Sequence, residues 1–266
     1  MNATGVILAR AGSKGVPNKN VRLLAGRPCI EWTIDAARNA ERVSTIAVST
    51  DDAEGIGIIG ARAGCLVIDR PPSLATDTAR IDDAARHAIE ALEAEGRRNP
   101  ADPIVILYAN VPVRPPDLID RALALLADAA CDSVQSYAPV GKNHPWWTAY
   151  LDADSRVQPW EGDVLNHNVF RRQDLPPALI PDAGVIALTR PALFLERAGD
   201  ASPHAFLGRD RRAIVTGEGE VVDIDTEIDF IVADAILSRR AGAIAAHADT
   251  FKFTATSGET KQHVRR

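Results

Sequence analysis

The residues best suited to chemistry lie in two short stretches, one near each end of the chain. The first follows a short apolar run and places two glycines, Gly12 and Gly15, among cationic and amide side chains. Glycine lets backbone N–H groups approach a ligand closely, and arginine and lysine neutralise phosphate charge. The combination predicts a loop that binds a nucleotide triphosphate rather than a basic surface loop. The residues assigned to it are Leu8, Ala9, Arg10, Gly12, Ser13, Lys14, Gly15, Lys19 and Asn20.

The second stretch contains Asp223 and Asp225, which are separated by one residue. In the strand that we predict over 221–225, alternate side chains point the same way, so the two carboxylates share one face. Paired carboxylates at a strand end suit Mg²⁺, which prefers hard oxygen ligands. A strand-end turn is the alternative interpretation. We assign the nearby Asp229 to a capping box with Thr226, which is a structural role.

Alternating strands and helices must hold these stretches in place. Short apolar runs predict strands, and apolar residues at steps of three and four predict helices between them. This alternation is typical of βαβ units and a mainly parallel sheet. Ligands bind at the carboxyl ends of such strands, where Arg10, Asp51, Arg70 and Asn110 fall. The predicted strands are 5–9, 44–49, 65–68, 103–108, 132–137, 184–188, 211–215 and 221–225, and the predicted helices are 28–40, one capped by residues 50–52, 81–96, 116–126 and one from Thr226.

Regular periodicity stops between about residues 142 and 181. This segment holds three of the four tryptophans, Trp146, Trp147 and Trp160. Long irregular insertions are usually functional or form interfaces, and tryptophan is enriched at interfaces. We therefore predict that the segment mediates dimerisation. The predicted domain spans 1–240, followed by a C-terminal tail over 241–266 whose residues from Thr250 onward are frayed or disordered.

Composition excludes several function classes. The 266 residues carry a net charge of −6, whereas a nucleic-acid surface needs an excess of lysine and arginine. No apolar run is long enough to span a bilayer, and the amino terminus lacks a signal-like segment. Cys29, Cys65 and Cys131 lie far apart without metal-binding spacing, so we expect buried thiols rather than disulfides or a zinc site. We therefore expect a soluble, cytoplasmic protein without nucleic-acid or membrane partners.

The loop over Ile7–Asn20 (ILARAGSKGVPNKN) resembles the signature loop of the CMP-sialic acid synthetases, or acylneuraminate cytidylyltransferases. Further stretches are similar to this family and follow in the family's order. The similar stretches together cover about residues 4–239. They are Val48–Asp52, Arg70–Thr78 and Asp223–Asp229, with a weaker match at Arg171–Pro176.

The resemblance implies a Rossmann-like three-layer α/β/α nucleotidyltransferase fold with a mainly parallel sheet. It also implies a homodimer in which the inserted segment reaches the partner's active site. The implied reaction is Mg²⁺-dependent transfer of CMP from CTP to a nine-carbon 2-keto sugar acid. Arg10, Lys19 and Asp225 would be catalytic, Asp223 and Asp225 would hold Mg²⁺, and Arg70 would help fix the cytosine side. The implied contacts to the sugar acid are Asn110, Arg114, Arg172 and Gln173.

The chain departs from the family at two places. Where the family commonly has Gln-Pro-Thr-Ser-Pro-Leu-Arg, this chain has Tyr108–Arg114 (YANVPVR), which keeps only Pro112 and Arg114. The family's Asn-Gly before a later strand is replaced by Ala183 and Gly184. The triphosphate and metal stretches are unchanged. Two alternatives stay open: the same reaction on a different acidic or non-sialic sugar, and a nucleotide-binding paralogue without turnover.

Overall fold

The computed structural model describes residues 2–12, 15–200, 202 and 204–256. Its strands are β1 (Ala3–Leu8), β2 (Leu23–Leu24), β3 (Arg27–Pro28), β4 (Val43–Thr50), β5 (Leu66–Asp69), β6 (Ile104–Tyr108), β7 (Ser133–Pro139), β8 (Ala149–Leu151), β9 (Val157–Pro159), β10 (Leu179–Leu188) and β11 (Arg211–Val215). Its α-helices are α1 (Cys29–Asn39), α2 (Ile58–Arg62), α3 (Ile81–Ala94), α4 (Leu118–Asp128), α5 (Arg190–Leu193) and α6 (Glu227–Thr256).

In the described part of the chain, seven strands form one sheet in the order β11-β7-β10-β6-β1-β4-β5. The neighbours β6, β1, β4 and β5 are parallel, and β10 runs antiparallel between β6 and β7. Every residue of β1 is buried, as expected for a strand near the centre of a sheet that is covered on both faces. The prediction of a mainly parallel sheet is confirmed.

Apolar cores on the two faces of the sheet produce three layers. One core packs α1 and α4 against the sheet and includes Ile34 and Leu123. The core on the other face packs the apolar side of α3, including Ile89 and Leu92, against residues such as Ile106. Successive strand residues point to opposite faces, so continuous apolar strands supply both cores. The predicted three-layer α/β/α fold is confirmed.

A third apolar cluster supports the two chemistry-bearing stretches. It joins Val16 of the loop after β1 to Ile224 and to Phe230 of α6. The predicted capping box also forms, because Thr226 N donates to Asp229 Oδ2 at 2.7 Å and Asp229 N donates to Thr226 Oγ1 at 3.3 Å. The beginning of α6 is therefore fixed beside the loop.

The strand predicted over 221–225 is wrong. Only Val222 forms an isolated antiparallel bridge, to Val113. The segment pairs with the loop that follows β6 and not with a neighbouring strand, and its apolar alternation comes from packing in the third cluster. Residues 241–256 of the predicted C-terminal tail lie in α6, which runs to Thr256. The rest of the predicted tail, 257–266, lies outside the described residues.

The inserted segment between β7 and β10 has little core of its own. A hairpin of β8 and β9 is accompanied by short turns of helix. Several of its large apolar side chains are exposed, with Phe170 at 89%, Trp160 at 66% and Leu151 at 64%. Across the portion of the chain that the structure describes, no helix is both long and apolar enough to cross a membrane.

Candidate active site

A cleft of about 370 Å³ opens at the carboxyl edge of the parallel strands. Its walls are the loop after β1, the loop between β5 and α3, and the loop after β6. This is the edge where open α/β sheets bind ligands. The predicted site residues that the cleft brings together are Leu8, Arg10, Gly15, Lys19, Asn20, Arg70, Asn110 and Asp225.

Close backbone contacts fix the loop after β1. Ala9 N donates to the carbonyl oxygen of Ser49 on β4 at 3.0 Å. A Cβ atom at Gly15 would lie 2.1 Å from the carbonyl oxygen of Asp225, so a larger residue would force the two segments apart. Gly12 is different, because a Cβ atom there would have no neighbour within 4 Å. Glycine is therefore a steric requirement at position 15.

Asn20 lines the cleft and has an unused acceptor. Its Nδ2 donates to the carbonyl oxygen of Arg10 at 3.0 Å, which fixes the amide. Its buried Oδ1 has no hydrogen-bond partner among the described residues. Buried acceptors are normally satisfied, so a ligand that donates a hydrogen bond fits here. The predicted contacts Ser13 and Lys14 lie outside the described residues.

Among the described residues of the loop, Arg10 and Lys19 line the cleft, and each is held by a carboxylate. Arg10 Nη1 lies 2.7 Å from Asp77 Oδ1. Lys19 Nζ donates to the Ile224 carbonyl oxygen at 2.7 Å and to Asp225 Oδ1 at 2.9 Å. The Lys19 side chain is only 16% exposed, so its ammonium is held more firmly than the guanidinium of Arg10.

Arg70 is a buried cation at the end of β5. Its Nε donates to Ser49 Oγ at 3.0 Å and its Nη2 to the Ser49 carbonyl oxygen at 2.6 Å. Burial lowers the pKa of Arg70 to about 10, so the side chain is still charged at neutral pH. Two of its three nitrogens are therefore committed to β4 while the side chain lines the cleft.

Asn110 connects the loop after β6 to the predicted metal-holding stretch. Its Nδ2 donates to Asp223 Oδ1 and, at 3.2 Å, to the carbonyl oxygen of Ile224. In return, Ile224 N donates to the Asn110 carbonyl oxygen at 2.9 Å. These bonds hold 223–225 at the cleft without a strand.

Asp223 and Asp225 differ in their surroundings. Asp225 is exposed, whereas Asp223 is half-buried. Burial, followed by repulsion from Asp225, raises the pKa of Asp223 to about 6, and Lys19 opposes this rise. The two carboxylates therefore interact electrostatically and share Lys19 as a nearby cation. The described residues contain no cluster of three or more His, Cys, Asp or Glu side chains that could hold a metal.

Arg114, predicted to contact the sugar, does not line the cleft. It is only 4% exposed, its Nε donates to the Gly184 carbonyl oxygen at 3.1 Å, and its Nη1 donates to Thr33 Oγ1 at 3.2 Å. Burial lowers the pKa of Arg114 to about 10. Its hydrogen bond to Gly184 indicates support for the bulge in β10, where Gly184 lies.

Arg172 and Gln173 lie in the inserted segment, on a short 3₁₀ helix over Arg172–Asp174. Both are exposed, and Arg172 Nη2 donates to Glu218 Oε2 at 3.0 Å. Within one chain they do not reach the cleft, so a sugar contact from them requires a second copy and stays a prediction.

Sequence reasoning missed several residues that line the cleft. Asp77 and Arg80 come from the loop that precedes α3, and Tyr108 ends β6. Tyr108 is half-buried, and burial raises the pKa of its phenol above the usual range. The position of these residues just after β5 and β6 was the available signal, since ligands bind beyond strand ends.

The family model of the cytidylyltransferases matches residues 4–177. The chain belongs to the cytidylyltransferase family. The predicted resemblance to the CMP-sialic acid synthetases is also confirmed, because an N-acylneuraminate cytidylyltransferase of Streptococcus agalactiae serotype III (strain NEM316) is 29% identical over 228 residues. That alignment covers 85% of this chain but only 51% of the streptococcal relative. The chain therefore spans about half the relative's length.

Two further proteins place this cytidylyltransferase-family chain among its neighbours. A CMP-N,N'-diacetyllegionaminic acid synthase of Legionella pneumophila subsp. pneumophila is 27% identical over 244 residues, which are 89% of this chain and 97% of the relative. A solved CMP:2-keto-3-deoxy-manno-octonic acid synthetase complexed with CTP superimposes with a TM-score of 0.64 at 18% identity. It covers 90% of this chain and 100% of that structure, and it confirms the nucleotidyltransferase fold.

Proposed function

We propose that this chain transfers CMP from CTP to the anomeric hydroxyl of a nine-carbon 2-keto sugar acid and releases pyrophosphate. The observation that carries the proposal is the convergence of Arg10, Lys19 and Arg70 on one cleft in a cytidylyltransferase-family member. The names of the streptococcal and Legionella relatives support a sugar-acid acceptor.

The proposed reaction is an in-line attack of the sugar hydroxyl on the α-phosphorus of CTP. Phosphoryl and nucleotidyl transfers depend mainly on positioning and on neutralising charge, not on covalent chemistry with the protein. Arg10 and Lys19 supply that positive charge from a loop whose path is fixed by Gly15. Asn20 Oδ1 accepts a hydrogen bond from the nucleotide, and Arg70 contributes a buried charge that stays protonated at neutral pH.

We further propose that Asp223 and Asp225 hold Mg²⁺. The donor set fits, because both are hard oxygen ligands. Burial first, and then repulsion from Asp225, raise the pKa of Asp223. When bound, Mg²⁺ would neutralise phosphate charge and orient the acceptor. Two protein carboxylates leave further positions for phosphate oxygens and water, as Mg²⁺ prefers.

The homodimer and the cytoplasmic location are also part of the proposal. The exposed aromatic side chains of the inserted segment favour a protein interface. A second copy could then bring Arg172 and Gln173 to the cleft. The three cysteines are all buried and free, which is compatible with a reducing compartment.

A pyrophosphate-release assay tests the proposal. Purified protein is mixed with CTP, Mg²⁺ and, in turn, sialic, legionaminic and pseudaminic acids and shorter ulosonic acids. Release with a nine-carbon acid supports the proposal, and release only with another sugar supports the alternative acceptor. Silence with every acceptor, together with CTP affinity that is unchanged by removing Mg²⁺ and by Asp225→Ala, would indicate a nucleotide-binding paralogue.

A further inference from the structure

An ion pair between Arg10 and Asp77 crosses the mouth of the cleft. It joins the loop after β1 to the loop that precedes α3, with 2.7 Å between Arg10 Nη1 and Asp77 Oδ1. Both side chains line the cleft, and both stay partly exposed, at 35% and 42%. Exposed ion pairs contribute little to stability, so this pair can open at small cost.

Asp77 places a negative charge where the proposed function requires a polyanion to bind. Asp225 also lines the cleft, but it is paired with Lys19 and has a metal to hold in the proposed function. The proposed chemistry gives Asp77 no such role. A carboxylate at close range opposes the binding of phosphate, so its position beside Arg10 needs an explanation.

We propose that Asp77 is a positioning residue that holds Arg10 over the cleft and is displaced from it when a triphosphate binds. Arginine pairs with phosphate oxygens at least as well as with a carboxylate, so the ligand competes directly with Asp77. A triphosphate can also contact Lys19 and Arg70 in the same cleft and therefore competes well. A single inorganic phosphate lacks those further contacts and competes poorly, so Asp77 makes the cleft selective for polyanions.

The variant Asp77→Asn tests this proposal, because the amide keeps the shape of the side chain and removes its charge. The full chain is titrated calorimetrically with CTP, with inorganic triphosphate and with inorganic phosphate. We expect the dissociation constants for CTP and triphosphate to fall about three- to tenfold at low salt. We also expect the discrimination against phosphate to shrink.

Two variants serve as controls. Asp77→Glu keeps the charge and should restore wild-type affinities. Asp210→Asn removes a similarly exposed carboxylate that is paired with Arg212 outside the cleft lining, and it should leave all three affinities unchanged. Circular dichroism of each variant checks that the fold is retained.

The double variant Asp77→Asn, Arg10→Gln tests whether Asp77 changes the affinity for triphosphate through Arg10. If Asp77 acts through Arg10, the gain in affinity disappears in the Arg10→Gln background. An equal gain in both backgrounds, or unchanged or weaker binding by Asp77→Asn, overturns the proposal.

The choice of a triphosphate as the ligand, and its identity as CTP, rest on the proposed function. Failure of the proposed function gives a different result. The wild type then binds inorganic triphosphate without preferring CTP, or releases no pyrophosphate. The Asp77 variants would still show that Asp77 and the triphosphate compete for Arg10.

Discussion

The nucleotide cleft and the inserted segment are built in opposite ways. The cleft is assembled by one chain, with Arg10 and Lys19 already paired and Ile224 fully buried beneath it. The inserted segment leaves Phe170 and Trp160 largely exposed. A surface of this kind is typical of a region that is completed by another molecule. One chain therefore supplies the described nucleotide-side residues of the proposed site, whereas an acceptor half completed by a second copy is part of the proposal.

The largest expected effect comes from Lys19, which is held more firmly than Arg10 in the loop after β1. Lys19→Ala should lower kcat about 100-fold or more, because it removes a charge-stabilising donor from the reacting phosphates. Pyrophosphate release at saturating CTP measures this. Arg62→Ala, which removes an exposed cation outside the cleft lining, is the control and should keep the wild-type rate. A normal rate in Lys19→Ala would remove Lys19 from the active site.

Asp223 should destabilise the metal-free fold at neutral pH. Burial and Asp225 raise the pKa of Asp223 from 3.8 to about 6, so the folded protein binds this proton more tightly than the unfolded chain. The contribution of Asp223 to stability is therefore complete below pH about 4 and is lost as the pH rises through about 6. Asp223→Asn should raise the free energy of unfolding by about 1–3 kcal/mol at pH 7.

Urea denaturation in buffer with a chelator measures this difference between Asp223→Asn and the wild type. The gain in stability should disappear near pH 4, which serves as the internal control. If Asp223→Asn is less stable than the wild type at pH 7, then groups besides Lys19 must stabilise the charged form of Asp223.

The pair Gly15→Ala and Gly12→Ala tests whether the backbone of the loop is as rigid as its contacts indicate. The added Cβ at Gly15 meets the Asp225 carbonyl oxygen at 2.1 Å, whereas the one at Gly12 meets nothing within 4 Å. Displacing packed backbone costs about 1–3 kcal/mol, so Gly15→Ala should weaken CTP binding about tenfold. Titration calorimetry measures it, and equal affinities in the two variants would contradict the prediction.

The smallest expected effect concerns the inserted segment. Phe170→Ala should raise the dissociation constant of the proposed dimer about fivefold without changing CTP affinity, since an exposed aromatic residue at an interface contributes on this scale. Analytical ultracentrifugation measures the dimer. Leu23→Ala, at a 59% exposed leucine on β2, is the control outside the segment. If the wild type is monomeric at micromolar concentration, the proposed role of the inserted segment in dimerisation is wrong.

The parts of the fold predicted from sequence are those with a strong local pattern. A continuous apolar run predicts β6 as a strand buried on both faces. Apolar residues at steps of three and four predict α3 as a helix with one buried face. Both elements form where predicted. The loop after β1 was found because Gly15 and its cationic neighbours have a composition that few other structures use.

Tertiary contacts account for what the sequence did not reveal. Val222 and Ile224 alternate like strand residues, yet they pack in a cluster with α6 and pair with the loop after β6. Arg114 carries the residue type of a ligand contact, but the path of the chain buries it beneath β10. Asp77 lies in the Arg70–Thr78 stretch that resembles the family, but its contact with Arg10, 67 positions away, is made only in the folded chain.

The inserted segment leaves the sheet and returns to it at paired positions. Pro139 at the end of β7 is the ladder partner of Leu179 at the start of β10, and Ala138 is the partner of Ile180. The length and sequence of the chain between these pairs can therefore change without moving either strand. In evolutionary terms, the gene segment that encodes residues 140–178 can diverge or be exchanged between homologues while the nucleotide cleft is inherited unchanged.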